Sequence, residues 1–217
     1  STSPGFQLQR QLGGIRVATD EYDLLCYQIF MGCGYGDPLE RDVRLIARDL
    51  ENLVVSTETA VKIYGASFLK GTKQLDAQAT ETRRREMREE RLGKAVALSP
   101  EIVAGRVHRQ GETDKELLRI HEHLAIVRTT DGRKIITCVK CGNQFCDATD
   151  NYKKHALRWT RDVAEMKKMP PGEETYAYYQ EYICPGCATL LQVDICYPSL
   201  DSDKPLWDIQ IDASALD

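Results

Sequence analysis

Hydrophobic positions along the chain follow two different rhythms. Toward the amino-terminal side they recur at three- and four-residue intervals. After Asp42, Val43, Ile46, Ala47 and Leu50 keep the i, i+3, i+4, i+7 spacing of an amphipathic helix, with Asp42 as its N-cap. Glu58, Ala60, Val61 and Tyr64 predict a second short helix, opened by the cap-like Ser56 and Thr59 and stopped by Gly65. Between Gln74 and Lys94 apolar positions nearly vanish. The dense Glu and Arg content there predicts a charged helix laced by i, i+4 ion pairs, either solvated or lying as an arm on a partner. Residues 114–124, with Leu117, Leu118, His121 and Leu124 toward one face, predict a further helix.

Beyond that point the pattern shortens to runs and alternation. Residues 125–128 and 133–137 flank Asp131-Gly132, a hairpin signal. Residues 178–183 and 190–195 read as strands. Asp147, Asp150 and Asn151 are turn and cap residues, 169–172 is a loop, and Trp207 is the expected anchor of the apolar tail 205–211, either to its own core or to a neighbour. Upstream, Gly13-Gly14 breaks a mixed stretch in which 15–18 reads as a strand, and 27–31 is apolar. It leads into Gly32-Cys33-Gly34-Tyr35-Gly36-Asp37-Pro38, a loop that must turn sharply or approach another surface closely. That loop lacks the Lys-Ser/Thr of a phosphate-binding P-loop. The expected fold class is α+β: a short helical amino-terminal docking segment with a charged helix (1–97), a linker carrying Pro100, Gly105 and Gly111 (98–114), and a small, mostly β, zinc-ribbon-like domain (115–217).

Composition narrows the partners. The 217 residues are 42% hydrophobic and 29% charged, with a net charge of −4 and a sequence pI near 5.7. That balance argues against a nucleic-acid partner, which leaves a basic footprint. No apolar run reaches the roughly 18 residues of a membrane span, and the first residues lack the pattern of a signal peptide. A cytoplasmic, reducing setting is expected, in which eight cysteines serve metal binding rather than disulfides.

The chemistry concentrates in Cys138-Val-Lys-Cys141 and Cys184-Pro-Gly-Cys187. Two C-x2-C pairs can give four thiolates to one tetrahedral Zn²⁺, and a site closed by four sulfurs is structural, not catalytic. Gly142 after the first pair and Pro185-Gly186 within the second fit knuckle turns. Buried thiols or disulfides are the bland alternative. Cys146 and Cys196 could replace one ligand, but read better as core residues. A metalloenzyme site built from Cys146, Asp147 and His155 is a further alternative. His121 and His123 lie at i, i+2, which points them apart on a helix. Lys154, His155, Arg158 and Arg161 form a basic patch, read as surface or interface.

Cys141-Gly142, Phe145-Cys146-Asp147, Asp150-Asn151-Tyr152-Lys153 and the run from Glu181 to Cys187 resemble the gamma subunit of acetone carboxylase and the related small subunit of acetophenone carboxylase, over about residues 115–212. Gly34 to Asp42, Arg48-Asp49, Val55-Ser56 and Tyr64-Gly65 resemble the carboxyl-terminal tail of the hydantoinase B and oxoprolinase family, over about residues 15–95, with Cys33 interrupting a loop richer in glycine there. Together the resemblances imply a zinc-bearing accessory subunit of an ATP-dependent ketone carboxylase of the acetophenone type. They imply a hetro-oligomer with hydantoinase-type large subunits, in which ATP and a second divalent metal belong to the partners and this chain contributes no catalytic residue. The competing reading is a free-standing zinc-ribbon module that binds protein or nucleic acid.

Overall fold

The computed structural model describes residues 36–102, 113–162, 177–197 and 204–216, all within one compact unit, Gly34–Asp217. Expectations for 15–18, 27–35, the linker's 103–112 and 169–172 lie outside the described residues. Within them the α+β class holds: three α-helices precede two antiparallel four-stranded sheets, apart from a two-residue strand that joins the second.

The helical part forms much as its periodicity predicts. Pro38–Glu40 make a 3-10 turn, and Asp42 caps α1 (Val43–Glu51) by accepting the Arg44 N–H. Ser56 caps α2 (Thr57–Tyr64) through Thr59, and Gly65 ends it at φ +65°. A Cβ on Gly65 would also crowd Arg84 and Met87 of α3 at 3.0 Å. Ile46, Ala60 and Ala66 form a small core under Leu50, Tyr64 and Phe68.

Helix α3 (Ala77–Lys94) corrects the expectation of a solvated rod. Its outer face carries ion pairs such as Lys94–Glu90. Thr80 and Arg84 are buried, however, and a stripe of arginines at i, i+4, i+7 faces inward. Arg84 donates to the carbonyls of Tyr64 (3.1 Å) and Arg41 (2.7 Å), and Arg88 to that of Leu39 and to Glu40. A guanidinium brings five donors on a long apolar stem. Here it fills the place of a core side chain while satisfying loop carbonyls, a use that hydrophobic periodicity cannot register.

The strands follow. β1 (Val96–Ala97) pairs with β6 (Leu157–Asp162), which continues to β7 (Tyr178–Ile183) and β8 (Leu190–Cys196) in the order β1-β6-β7-β8. β2 (Thr113–His121), β3 (Leu124–Thr129), β4 (Lys134–Cys138) and β5 (Gln144–Asp147) form the other sheet in chain order. Gly132 turns the β3–β4 hairpin at φ +84°. β2 overturns the helix expected at 114–124. Register shifts against β3 between Thr113/Lys115, Glu116/Leu118 and Arg119/His121 break the two-residue alternation. The inward residues Leu117 and Ile120 therefore fall three apart, which imitates helical spacing.

The main core lies between the sheets. Leu124, Ile126, Ile136 and Phe145 from one meet Tyr182 and Leu191 from the other. The tail closes this core, but not through Trp207, which stays 46% exposed. Ile209, Ile211, Ala213 and Leu216 pack inward instead. No described helix is long and apolar enough to cross a membrane.

Candidate metal centre

β4 and β7 belong to different sheets, and each runs directly into a C-x2-C turn. The two turns are built alike. In the first, the Gly142 N–H donates to the Cys138 carbonyl and the Cys138 N–H to the Asn143 carbonyl, both at 2.8 Å. In the second, Ala188 donates to the Cys184 carbonyl at 3.0 Å and Cys184 to that of Thr189 at 2.9 Å. The fifth residue of each turn is left-handed, Gly142 at φ +72° and Ala188 at φ +58°. Gly186 serves differently: it needs no positive φ, but a Cβ there would stand 3.0 Å from the Cys141 sulfur. Gly186 thus serves the second knuckle by close approach, with Ala188 taking the left-handed conformation.

This construction brings together the sulfurs of Cys138, Cys141, Cys184 and Cys187, all within 4.8 Å of one another. The gaps between Cys138 and Cys187 (3.7 Å) and between Cys141 and Cys184 (3.6 Å) span the two sheets. A tetrahedron with metal–sulfur bonds of about 2.3 Å has edges of about 3.8 Å, so the four cysteines fit a tetrahedral thiophilic ion and could hold one. Protons are shared unevenly among the thiols. Hydrogen bonding with Cys138 is the largest influence holding Cys187 and Cys141 down toward thiolates. Cys184 is pushed up, first by its own bond with Cys138, and Cys138 is pushed up, first by Cys141. A dication entering the cluster would displace the retained protons. Thr189, fully buried, places its hydroxyl 3.1 Å from the Cys187 sulfur.

Among the described residues, no other group of His, Cys, Asp or Glu converges in this way. Cys146 lies outside the cluster, its thiol near the Asp150 carbonyl and pushed up to about 12 by burial and then by Asp150. Cys196 is buried in β8. Asp147 accepts from Thr149, and His155 pairs with Asp150. Cys146, Asp147 and His155 line a surface cleft of about 320 Å³, but their side chains turn to these separate partners. The basic patch is largely engaged: Lys154 pairs with Asp150, and Arg161 pairs with Glu181 and stacks on Trp159 at 4.5 Å.

Two features escape sequence reading. Lys153, wholly buried, holds Asp194 at 2.9 Å and Asp208 at 3.0 Å, with the Tyr182 ring 5.2 Å away. Asp37, whose side chain is wholly buried, takes a bidentate grip from Arg91 at 2.6 and 2.9 Å and accepts the Leu190 N–H beside the second knuckle. Both partner sets are remote in sequence, so no local pattern announces them.

Comparison with known proteins gives the centre its context. Residues 112–217 match the family model described as acetone carboxylase gamma subunit. The chain is 32% identical over 90 residues to the acetone carboxylase gamma subunit of Xanthobacter autotrophicus, covering 39% of this chain and 54% of that one. It is 31% identical over 101 residues to the acetone carboxylase alpha subunit of the same organism, covering 44% of this chain and 13% of that one. The chain thus spans about half the length of the first relative and a small part of the second.

Proposed function

We propose that this chain is a zinc-bearing accessory subunit of an ATP-dependent ketone carboxylase, and that it holds large catalytic subunits together in a cytoplasmic hetero-oligomer. The observation that carries the reading is the pairing of likenesses in one polypeptide, to a carboxylase gamma subunit and to a carboxylase alpha subunit. Residues 115–217 would be the gamma-like domain, joined through 98–114 to an alpha-type docking segment at 1–97. Such a combination fits the acetophenone type better than the acetone type.

Zinc suits four cysteine sulfurs at tetrahedral spacing. With Cys138, Cys141, Cys184 and Cys187 all bound, no position is left for water or substrate, so the ion's task is to join the two sheets. Activation of the ketone by ATP and its carboxylation would then occur in partner subunits, where the nucleotide and a second divalent metal are expected. This chain's residues would supply the rigid surface on which those subunits assemble.

Native mass spectrometry of the untagged chain purified from its source tests the reading. The expected result is an assembly with hydantoinase-sized partners and one zinc per copy. A lone monomer or homodimer carrying zinc would instead support a free-standing binding module.

A further inference from the structure

The loop that opens the helical part is seated on both cysteine knuckles. Val139 and Lys140 are the two inner residues of the first C-x2-C turn. The Val139 N–H donates to the His123 carbonyl at 2.9 Å, and the His123 ring nitrogen Nε2 accepts the Asp37 N–H at 3.4 Å. Lys140 pairs with Glu40, which also receives Arg88 at 2.8 Å. At the second turn, Arg91 donates to the carbonyl of the left-handed Ala188 at 3.1 Å. The Leu190 N–H reaches Asp37 Oδ2 at 2.9 Å. Asp37 therefore answers to both turns at once. Gly36, at φ +76°, carries the loop past the Glu122 carboxylate in a left-handed conformation that L side chains rarely adopt. Arg84, Arg88 and Arg91 of α3 complete the seat from above.

The Val139, Lys140 and Ala188 contacts are made by the knuckles themselves and the Leu190 contact directly beside one, so this seat depends on both turns keeping their shape. A closed ion would fix that shape. Without it, the four sulfurs, two buried and two half-buried, are held by thiol hydrogen bonds and the Thr189 hydroxyl, and Asp37 stands to lose the Leu190 N–H, one of the donors that compensate its burial. We propose that the four-cysteine centre governs the docking of the helical segment: metal binding seats residues 36–91 through the Asp37–Leu190, Glu40–Lys140 and Arg91–Ala188 contacts, and metal loss releases them. The coupling is reciprocal, so the seated segment also retains the ion. The inference rests on the metal-centre reading above and adds a control over which surface the chain presents to a partner.

Hydrogen exchange on the full chain, zinc-loaded and then stripped by a chelator, tests the coupling. Metal removal is expected to deprotect amides of 39–51 and 77–91 together with those of 138–142 and 184–190. Asp37→Asn is expected to speed chelator-driven zinc release on the order of tenfold, within the usual range for coupled sites. If that variant does not fold, Glu40→Gln decides, with a several-fold acceleration expected from loss of the Lys140 and Arg88 pairs. Glu90→Gln, on the outer face of α3, should release zinc at the wild-type rate. Helical amides that stay protected while the knuckle amides exchange would overturn the coupling and leave the metal centre standing. A chain that takes up no metal on titration would overturn both.

Discussion

At the scale of single residues, Lys153 is the most exposed to test. Its ammonium pairs with both Asp194 and Asp208, and it sits in the core rather than at the rim. Removing one partner of a buried pair leaves an uncompensated charge, so Lys153→Met should cost about 3–5 kcal/mol in denaturant unfolding. Adding Asp194→Asn to that variant should return much of the loss; a double variant as unstable as the single one would refute the account. His121 offers a pH test. Burial, and then repulsion from His123, lower its pKa from 6.5 to about 4, while its Nδ1 accepts the His123 N–H at 3.1 Å. The unfolded chain binds this proton more readily than the fold does. The histidine's contribution is therefore intact above about pH 6.5 and fades as pH falls toward 4. The stability difference between wild type and His121→Gln should shrink across that window, and a constant difference would count against the buried neutral ring. The clustering of Cys138, Cys141, Cys184 and Cys187 was legible because two C-x2-C pairs write their spacing into the sequence. Lys153 and Asp37 were not, because their partners lie 41 and 153 residues away.

At the scale of elements, the two knuckles make a matched comparison. They share one hydrogen-bond pattern, but Gly142 takes the left-handed position in one and Ala188 in the other. A β-carbon in that conformation costs about 1 kcal/mol. Gly142→Ala should thus destabilise by roughly that amount, and Ala188→Gly should stabilise by up to about as much; thermal melts of the zinc-loaded forms measure both. Cys184→Ser should strip the metal and melt the paired sheets, since a structural ion contributes folding energy directly. Unchanged metal content and melting in that variant would remove the centre from the account. The hairpin strands and both short helices were readable because their caps and turns are local: Asp42, Ser56, Gly65 and Gly132 each act within a few residues. β2 was misread because its bulges hide the strand period, and α3 was underread because arginine does the work of an apolar face.

At the scale of the whole molecule, the α+β architecture followed from the change of rhythm along the chain, whereas the seating of the helical segment on the knuckles depends on contacts between distant parts. The sheet β2-β3-β4-β5 is a meander of chain neighbours and needs only local closure, while β1 must wait for β6. Assembly of a chain emerging from its amino terminus therefore has an order. The first knuckle can form as soon as β4 and β5 are available, but it holds only two of the four sulfurs. The second pair follows 43 residues later, counted from Cys141 to Cys184, and β1 finds its place once β6 has appeared. If the centre takes up its ion, capture is then a late checkpoint of biogenesis: a nascent chain interrupted before β7 would expose an unfinished, two-sulfur site and a β6 whose other edge still lacks its neighbour.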